Sequence, residues 1–178
     1  MGERFTLYDR AGVEALLDDM ARQVAAFDAT PLVIVGVLRR GAPLAEALES
    51  RLRGLRPAWS IERIDLKVQR YGDDLRLLHP ETRLEADVTQ RKLEFAGRRV
   101  LIVDDVLYHG HSLLRVLEFL RTHGADSVHA AVLVDRCIAR LPVVADIVGA
   151  RLQISHPDVI ECNVPPYEQD LRIDVCRL

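Results

Sequence analysis

Two unbroken apolar runs, Leu32-Val33-Ile34-Val35-Gly36-Val37 and Val100-Leu101-Ile102-Val103, constrain the fold more than anything else in the chain. Both have strand length, are rich in β-branched residues and lack polar alternation, which is the pattern of strands covered on both faces. Such strands need helices above and below them, and the flanking sequence supplies these. Val13, Leu16, Leu17, Met20 and Val24 recur at helical spacing within residues 10–27. Residues 42–52 read as a second helix, with Pro43 tolerated in its first turn. Residues 112–123 read as a third, stopped by Gly124. Residues 128–134 form another apolar strand, 61–68 look extended, and 145–148 and 159–164 are shorter candidates. After a turn at Pro165-Pro166-Tyr167, residues 171–175 are expected to pair with the sheet edge. Strand–helix–strand alternation of this kind predicts an α/β fold, a mainly parallel twisted sheet flanked by helices.

The chain length of 178 residues suits one domain. No repeat or Pro/Gly/Ser linker divides it, so a single domain over residues 1–178 is expected. No apolar run approaches the roughly 20 residues of a membrane span, and Met1-Gly2-Glu3-Arg4-Phe5 lacks the pattern of a secretory signal. Cys137, Cys162 and Cys176 fit neither a disulfide framework nor a C-x-x-C metal knuckle. A reducing cytoplasm is therefore the expected location. The 24 basic and 27 acidic side chains leave a net charge of -3, which argues against binding duplex DNA through overall charge. Every basic residue except Lys67 and Lys92 is Arg. Codon bias in a GC-rich genome accounts for most of that excess, with Arg39 and Arg40 as the exception.

The chemistry is densest in residues 100–112, where an apolar strand runs into Asp104-Asp105-Val106-Leu107-Tyr108-His109-Gly110-His111-Ser112 and then a helix. In an open α/β sheet, ligands sit at the carboxyl ends of strands. A helix N-terminus offers free N–H groups and partial positive charge to a phosphate. Gly110 permits close backbone approach, and Ser112 can cap the helix and bond a phosphate oxygen. Paired carboxylates just upstream suit sugar hydroxyls or a divalent cation, so a phosphorylated sugar would satisfy both ends. Residues 71–92, by contrast, carry charged and turn residues with weak periodicity. A stretch of that length is either a mobile functional loop or an unresolved hairpin.

These residues carry a resemblance. Residues 103–112 are similar to the phosphoribosyl-pyrophosphate (PRPP) motif of type I phosphoribosyltransferases: apolar residues, two acids, three variable positions, Thr-Gly, a variable residue, then Thr or Ser. The run Gly36-Val37-Leu38-Arg39-Arg40-Gly41-Ala42-Pro43-Leu44-Ala45 resembles that family's pyrophosphate loop. Ile64-Asp65-Leu66 with Arg70-Tyr71-Gly72-Asp73-Asp74-Leu75 resembles a segment of the PyrR subfamily, pyrimidine operon regulators that also have uracil phosphoribosyltransferase activity. So do Asp105-Val106-Leu107-Tyr108 and residues 131–149. The resemblance implies a type I phosphoribosyltransferase fold with a flexible lid at about 71–92, containing Arg70, Tyr71, Asp73 and Asp74, and a small hood within 136–178. It implies catalytic roles for Asp104, Asp105 and Arg40. PRPP would be held by Arg39, Arg40, Gly41, Asp104, Asp105, His109, Gly110, His111 and Ser112, and Mg2+ by Asp104 and Asp105, mostly through PRPP and water. Val106, Leu107, Tyr108 and Arg136 would face the base. The implied reaction converts uracil and PRPP to UMP and pyrophosphate, by displacement at the anomeric carbon through an oxocarbenium-like transition state. A homodimer or larger homo-oligomer goes with the family.

Two departures bear on this. His109 stands where the family has Thr, and His111 where Arg or Lys is common. Either the two rings touch the phosphate and make its binding pH-dependent, or they face solvent and backbone amides bind alone. One extra residue near Gln69-Arg70-Tyr71 leaves that register open. Tyr108 occupies the position where purine enzymes of the family place an Asp, so a pyrimidine is favoured. Two rival roles remain: an RNA-binding regulator that senses nucleotides, using Arg51, Arg53, Arg56 and Arg63 diluted by Glu46, Glu49 and Glu62, or a non-catalytic paralogue spoiled at His109 and His111. Asp135-Arg136 reads as a neutralised surface pair or a base-site element. Trp59 is placed at an edge or subunit contact, and the remaining histidines lack metal-site spacing.

Overall fold

The computed structural model describes residues 3–27, 31–70, 82–85 and 95–177. Its order is β1 (Arg4–Tyr8), α1 (Arg10–Ala25), β2 (Leu32–Leu38), α2 (Gly41–Leu55), β3 (Ile61–Arg70), β4 (Thr82–Glu85), β5 (Arg99–Leu107), α3 (His111–Thr122), β6 (Ser127–Asp135), β7 (Ile147–Arg151), β8 (Val159–Asn163) and β9 (Arg172–Cys176). The main sheet has the order β4-β3-β2-β5-β6-β7. From β3 to β7 the neighbours are parallel, and β4 joins the edge antiparallel to β3.

Alternation along the two apolar runs divides the core into two layers. Ile34 on β2 and Leu101 and Val103 on β5 pack with Val13, Leu17, Met20 and Val24 of α1 and Leu44, Leu48 and Leu52 of α2. Val33, Val35 and Val37 on β2 and Val100 and Ile102 on β5 turn the other way, onto Leu113, Val116 and Leu120 of α3 and the fully buried Phe95. Successive residues on a strand face opposite sides, which is why an uninterrupted apolar run identifies a doubly covered strand. Asp9 opens α1 by accepting the Gly12 N–H at 2.9 Å, an ordinary N-cap.

A second sheet has the order β1-β9-β8 and is antiparallel throughout. This corrects two expectations. The final extended segment pairs with β1 and β8 instead of the main sheet's edge, and residues 4–8, for which no strand was expected, form its outer strand. A buried carboxylate explains the pairing: Asp174 on β9 is fully buried and accepts from Thr6 Oγ1 (2.8 Å), Arg172 Nε (2.9 Å) and Asn163 Nδ2 (3.1 Å). These partners come from all three strands. Part of the stretch 71–92 is a hairpin arm, since Lys67–Arg70 of β3 pair with Thr82–Glu85. The rest of that stretch lies outside the described residues.

Candidate active site

The chain leaves β2 through α2 to reach β3 on one side, and later returns to lay β5 on the other side of β2. Strand order therefore reverses between β2 and β5, and a crevice at such a switch point is where open α/β sheets bind ligands. Gly36 and Val103 are register partners across it, so the residues that follow each strand emerge side by side. They do so tightly. A Cβ on Gly41, the first residue of α2, would lie 2.4 Å from the Val103 carbonyl oxygen and 3.1 Å from Asp104 Cα. Gly36 is equally confined, with a Cβ there 2.5 Å from Asp65 Oδ1 and 2.8 Å from Ala42 Cα. Glycine at both positions brings the α2 N-terminus onto the end of β5.

β5 runs through Asp104 and Asp105 and ends only at Leu107, later than the apolar run indicates. Asp104 Oδ1 accepts the Asp105 N–H and Asp105 Oδ1 accepts the Val106 N–H, both at 2.9 Å, which fixes the two half-buried carboxylates against their own backbone. Gly110 follows with φ 90° and is the cap residue of α3, with no side-chain cap bond. Ser112 is thus the second residue of the helix and not its cap, a correction to the sequence expectation. Positive φ suits only glycine readily, and a Cβ on Gly110 would also lie 2.3 Å from Val143 Cγ2.

That contact belongs to a brace. Residues 136–143 run alongside the loop, with Arg136 N–H donating to Leu107 O at 3.0 Å and Arg140 N–H to His109 O at 3.2 Å. The Arg136 guanidinium lies 5.4 Å from the Tyr108 ring centre, and Tyr108 and His109 rings are 3.9 Å apart. Arg136 is buried, and its Nε has no hydrogen-bond partner. Burial, then the charges of Arg140, His111 and Arg136, holds His109 below its ordinary pKa of 6.5. Among the base-facing candidates, Tyr108 is exposed and Arg136 covers its ring, whereas Leu107 lies in the second core layer and Val106 against the first.

Arg40 meets Asp105 from the β2 side, Nη1 to Oδ2 at 3.7 Å. Its other edge donates to Glu168: Nε to Oε1 and Oε2 at 3.1 Å each, and Nη2 to Oε1 at 2.6 Å. Glu168 Oε2 also accepts the Val164 N–H at 2.9 Å. The fork from Arg40 is the main reason that the Glu168 carboxyl titrates below its usual range, and Glu168 in turn pushes Arg40 up. Arg39 lies 5.3 Å from the ring centre of Tyr167. Cys162 is buried beside Asp105, its Sγ 4.0 Å from the Asp105 carbonyl, and burial pushes the thiol well above its ordinary value. The structure thus brings Arg40, Asp104, Asp105, Gly41 and the 108–112 loop to one end of the sheet. Arg70 ends β3, and Tyr71, Asp73 and Asp74 lie outside the described residues.

Glu168 carries no local signal that would single it out, and Tyr167, Arg140 and Val143 are marked only as parts of a turn and of a resembling stretch; each reaches the site through long-range packing. Among the described residues, no group of three or more His, Cys, Asp or Glu side chains is placed to hold a metal ion. No described helix is long and apolar enough to cross a membrane.

The arginines offered as an RNA surface have partners within the chain. Arg51 binds Glu14, Asp18 and the Ala47 carbonyl. Arg53 binds Glu49 and the Ile61 carbonyl. Arg56 binds the Ala25 carbonyl and covers Trp59, which packs on the first core layer. Arg63 faces Glu46, Glu49 and Asp65 within 4 Å.

A switch-point crevice with a glycine-opened helix, paired acids and an arginine loop has its counterpart in one family model, the phosphoribosyl transferase domain, which matches residues 6–170. The chain belongs to this family, in its type I branch, and is PyrR-like within it. A bifunctional protein PyrR from Roseiflexus is 33% identical across 98% of this chain and 93% of its own length. Another protein of that name, from Deinococcus radiodurans, is 38% identical across 75% of this chain and 72% of its own. Among solved structures, a hypoxanthine phosphoribosyl transferase of Trypanosoma cruzi superposes with a TM-score of 0.75 at 20% identity, covering 98% of this chain and 91% of that one. One from Staphylococcus aureus gives 0.69 at 20%, covering 83% and 77%. At such identity these structures show the shared fold.

Proposed function

We propose that the chain transfers a phosphoribosyl group from PRPP to a pyrimidine base, first of all uracil, releasing pyrophosphate and UMP. The observation that carries this reading is the convergence of three substrate-binding elements at one switch point: Arg40 aimed at Asp105 across 3.7 Å, the paired carboxylates on β5, and the Gly110 loop that opens α3. In this reading the N–H groups at the start of α3, with His109, His111 and Ser112, hold the 5-phosphate. Asp104 and Asp105 orient the ribose hydroxyls, while Arg39, Arg40 and Gly41 receive the diphosphate. Bond cleavage builds positive charge on the sugar and negative charge on the leaving group. The site then works by positioning and by prearranged charge, with Asp104 and Asp105 favouring the sugar cation and Arg40 the departing oxygens.

Mg2+ fits this donor set, because it keeps several waters and is held by one or two carboxylates plus substrate phosphates; Asp104 and Asp105 would supply the protein side, and the ion's charge would neutralise the diphosphate. Tyr108 and Arg136 are assigned to the base side, backed by Val106 and Leu107 from the core layers beneath, with Tyr71, Asp73 and Asp74 in a lid at about 71–92 and Arg70 at its start. Hood elements are placed within about 136–178, where β8 and β9 of the antiparallel sheet lie, within one domain, and the cytoplasm and a homo-oligomer complete the reading. UMP formation from uracil and Mg-PRPP is the deciding measurement. Absence of turnover with uracil, cytosine, xanthine and hypoxanthine would remove the catalytic proposal.

A second reading, regulation of pyrimidine genes through RNA, is supported by the relatives' name, bifunctional protein PyrR. The internal partners of Arg51, Arg53, Arg56 and Arg63 count against their surface as the RNA-binding face. Filter binding to the chain's own operon leader, with and without UMP, tests it: salt-sensitive binding that UMP alters supports regulation, and its absence removes it.

A further inference from the structure

We propose that Glu168 is the positioning residue for Arg40: it takes one edge of the guanidinium and so holds the other toward Asp105, where the donor's diphosphate is to be received. The inference rests on the phosphoribosyl-transfer reading and adds to it a residue from a distant part of the chain. An Arg side chain carries five N–H donors in a planar fork. Glu168 engages the Nε–Nη2 edge with three contacts between 2.6 and 3.1 Å. Nη1 is left facing Asp105 Oδ2 at 3.7 Å, near enough to feel its charge but longer than a hydrogen bond. That edge is therefore directed into the crevice without being closed off by a protein acceptor.

Glu168 is itself held. Its Oε2 accepts the Val164 N–H at 2.9 Å, and Glu168 N–H bonds the Val164 carbonyl at 3.3 Å, so the carboxylate stands on a tight turn between β8 and β9. The preceding residue, Tyr167, places its ring against Arg39. One turn of the antiparallel sheet thus grips both arginines of the loop after β2. Without Glu168, Arg40 keeps its charge but loses its fixed orientation, and the nearest remaining carboxylate is Asp105. The guanidinium would swing onto that residue and compete with the sugar for it. A long flexible cation is useful in a transition state only when it is held beforehand.

The test uses Glu168→Gln, alone and combined with Arg40→Ala, in the full chain. Glu168→Gln is expected to lower kcat/KM for PRPP by about tenfold or more, the scale of a lost charge-assisted hydrogen bond, with KM for the base changed by less than about twofold. In the Arg40→Ala background the same change is expected to cost nothing further, because its effect runs through Arg40. Glu168→Asp keeps the charge but shortens the reach, and gives the same pattern should the glutamine variant fail to fold. Equal losses in both backgrounds, or a lowered Tm with unchanged PRPP kinetics, would mark Glu168 as a structural residue and overturn the inference. Wild-type kinetics in Glu168→Gln of an active protein would overturn this inference alone. A wild type that neither binds nor turns over PRPP would overturn the functional reading, and this inference with it.

Discussion

Arg40 and Arg51 are the same residue type, each clasped by carboxylates from another part of the chain, yet they serve opposite ends. Arg51 lies on α2 and reaches Glu14 and Asp18 on α1, while its third nitrogen donates to the Ala47 carbonyl. All three nitrogens are satisfied within the chain, and the result is a clamp between two helices. Arg40, one residue before α2, gives only one edge to Glu168 and leaves Nη1 facing Asp105. Arginine content alone does not separate the two. What distinguishes them is the number of donor edges the fold leaves open, and an open edge is what an anionic substrate can use.

The largest effect is expected on the clamping side of this contrast, in the antiparallel sheet. Asp174 is a fully buried carboxylate binding donors from three strands, and removing one partner of a buried charged pair costs about 3–5 kcal/mol. Asp174→Ala should show that loss in denaturant unfolding; near-native stability would mean that this sheet is not held by its buried charge. Asp105→Asn keeps shape and removes the charge that Arg40 faces. It should reduce kcat/KM by about a hundredfold to a thousandfold with little change in Tm, and an active variant would dissolve the distinction between an open and a closed arginine.

Gly41→Ala forces a methyl to within 2.4 Å of the Val103 carbonyl and should destabilise by about 1–3 kcal/mol, with a loss of PRPP binding that exceeds the effect on base binding. Arg51→Ala should cost about 1 kcal/mol, since its partners are partly solvent-screened, and should leave PRPP kinetics unchanged. Altered kinetics there would join the clamp to the site.

The smallest effect concerns pH. Burial and neighbouring cations hold His109 below 6.5, so the unfolded chain takes up the proton more readily than the folded one. Its contribution to stability is then full above about pH 6.5 and declines as pH falls through the folded pKa. A phosphate bound beside the ring would reverse the preference, so PRPP affinity should rise from about pH 8 to about pH 6. In His109→Thr both dependences should flatten. If the wild-type affinity does not vary with pH, the ring makes no contact with the phosphate.

Interaction range separates the elements that the sequence reveals from those it hides. β2, β5 and β6 are visible as apolar runs because burial on both faces leaves no room for polar residues. α1, α2 and α3 are visible because one buried face repeats at helical spacing. The string 100–112 is visible because strand, acids, glycine and helix follow one another in sequence. β1 leaves no pattern in the sequence because its residues are nearly all exposed and it forms only by pairing with β9. Ser112 has the side chain of a cap residue, whereas the positive φ that makes Gly110 the actual cap leaves no mark in composition. Glu168 was invisible for the same reason as β1, since its partner lies 128 positions earlier.

The layered α/β core, the family and the short string that carries paired acids and a glycine-opened helix can all be read along the chain, because each depends on neighbours within a few residues or on a simple period. Which arginines are closed and which one faces the crevice is set only by the folded arrangement. A guanidinium's partners are set by where distant strands and turns bring carboxylates, and no local pattern encodes that.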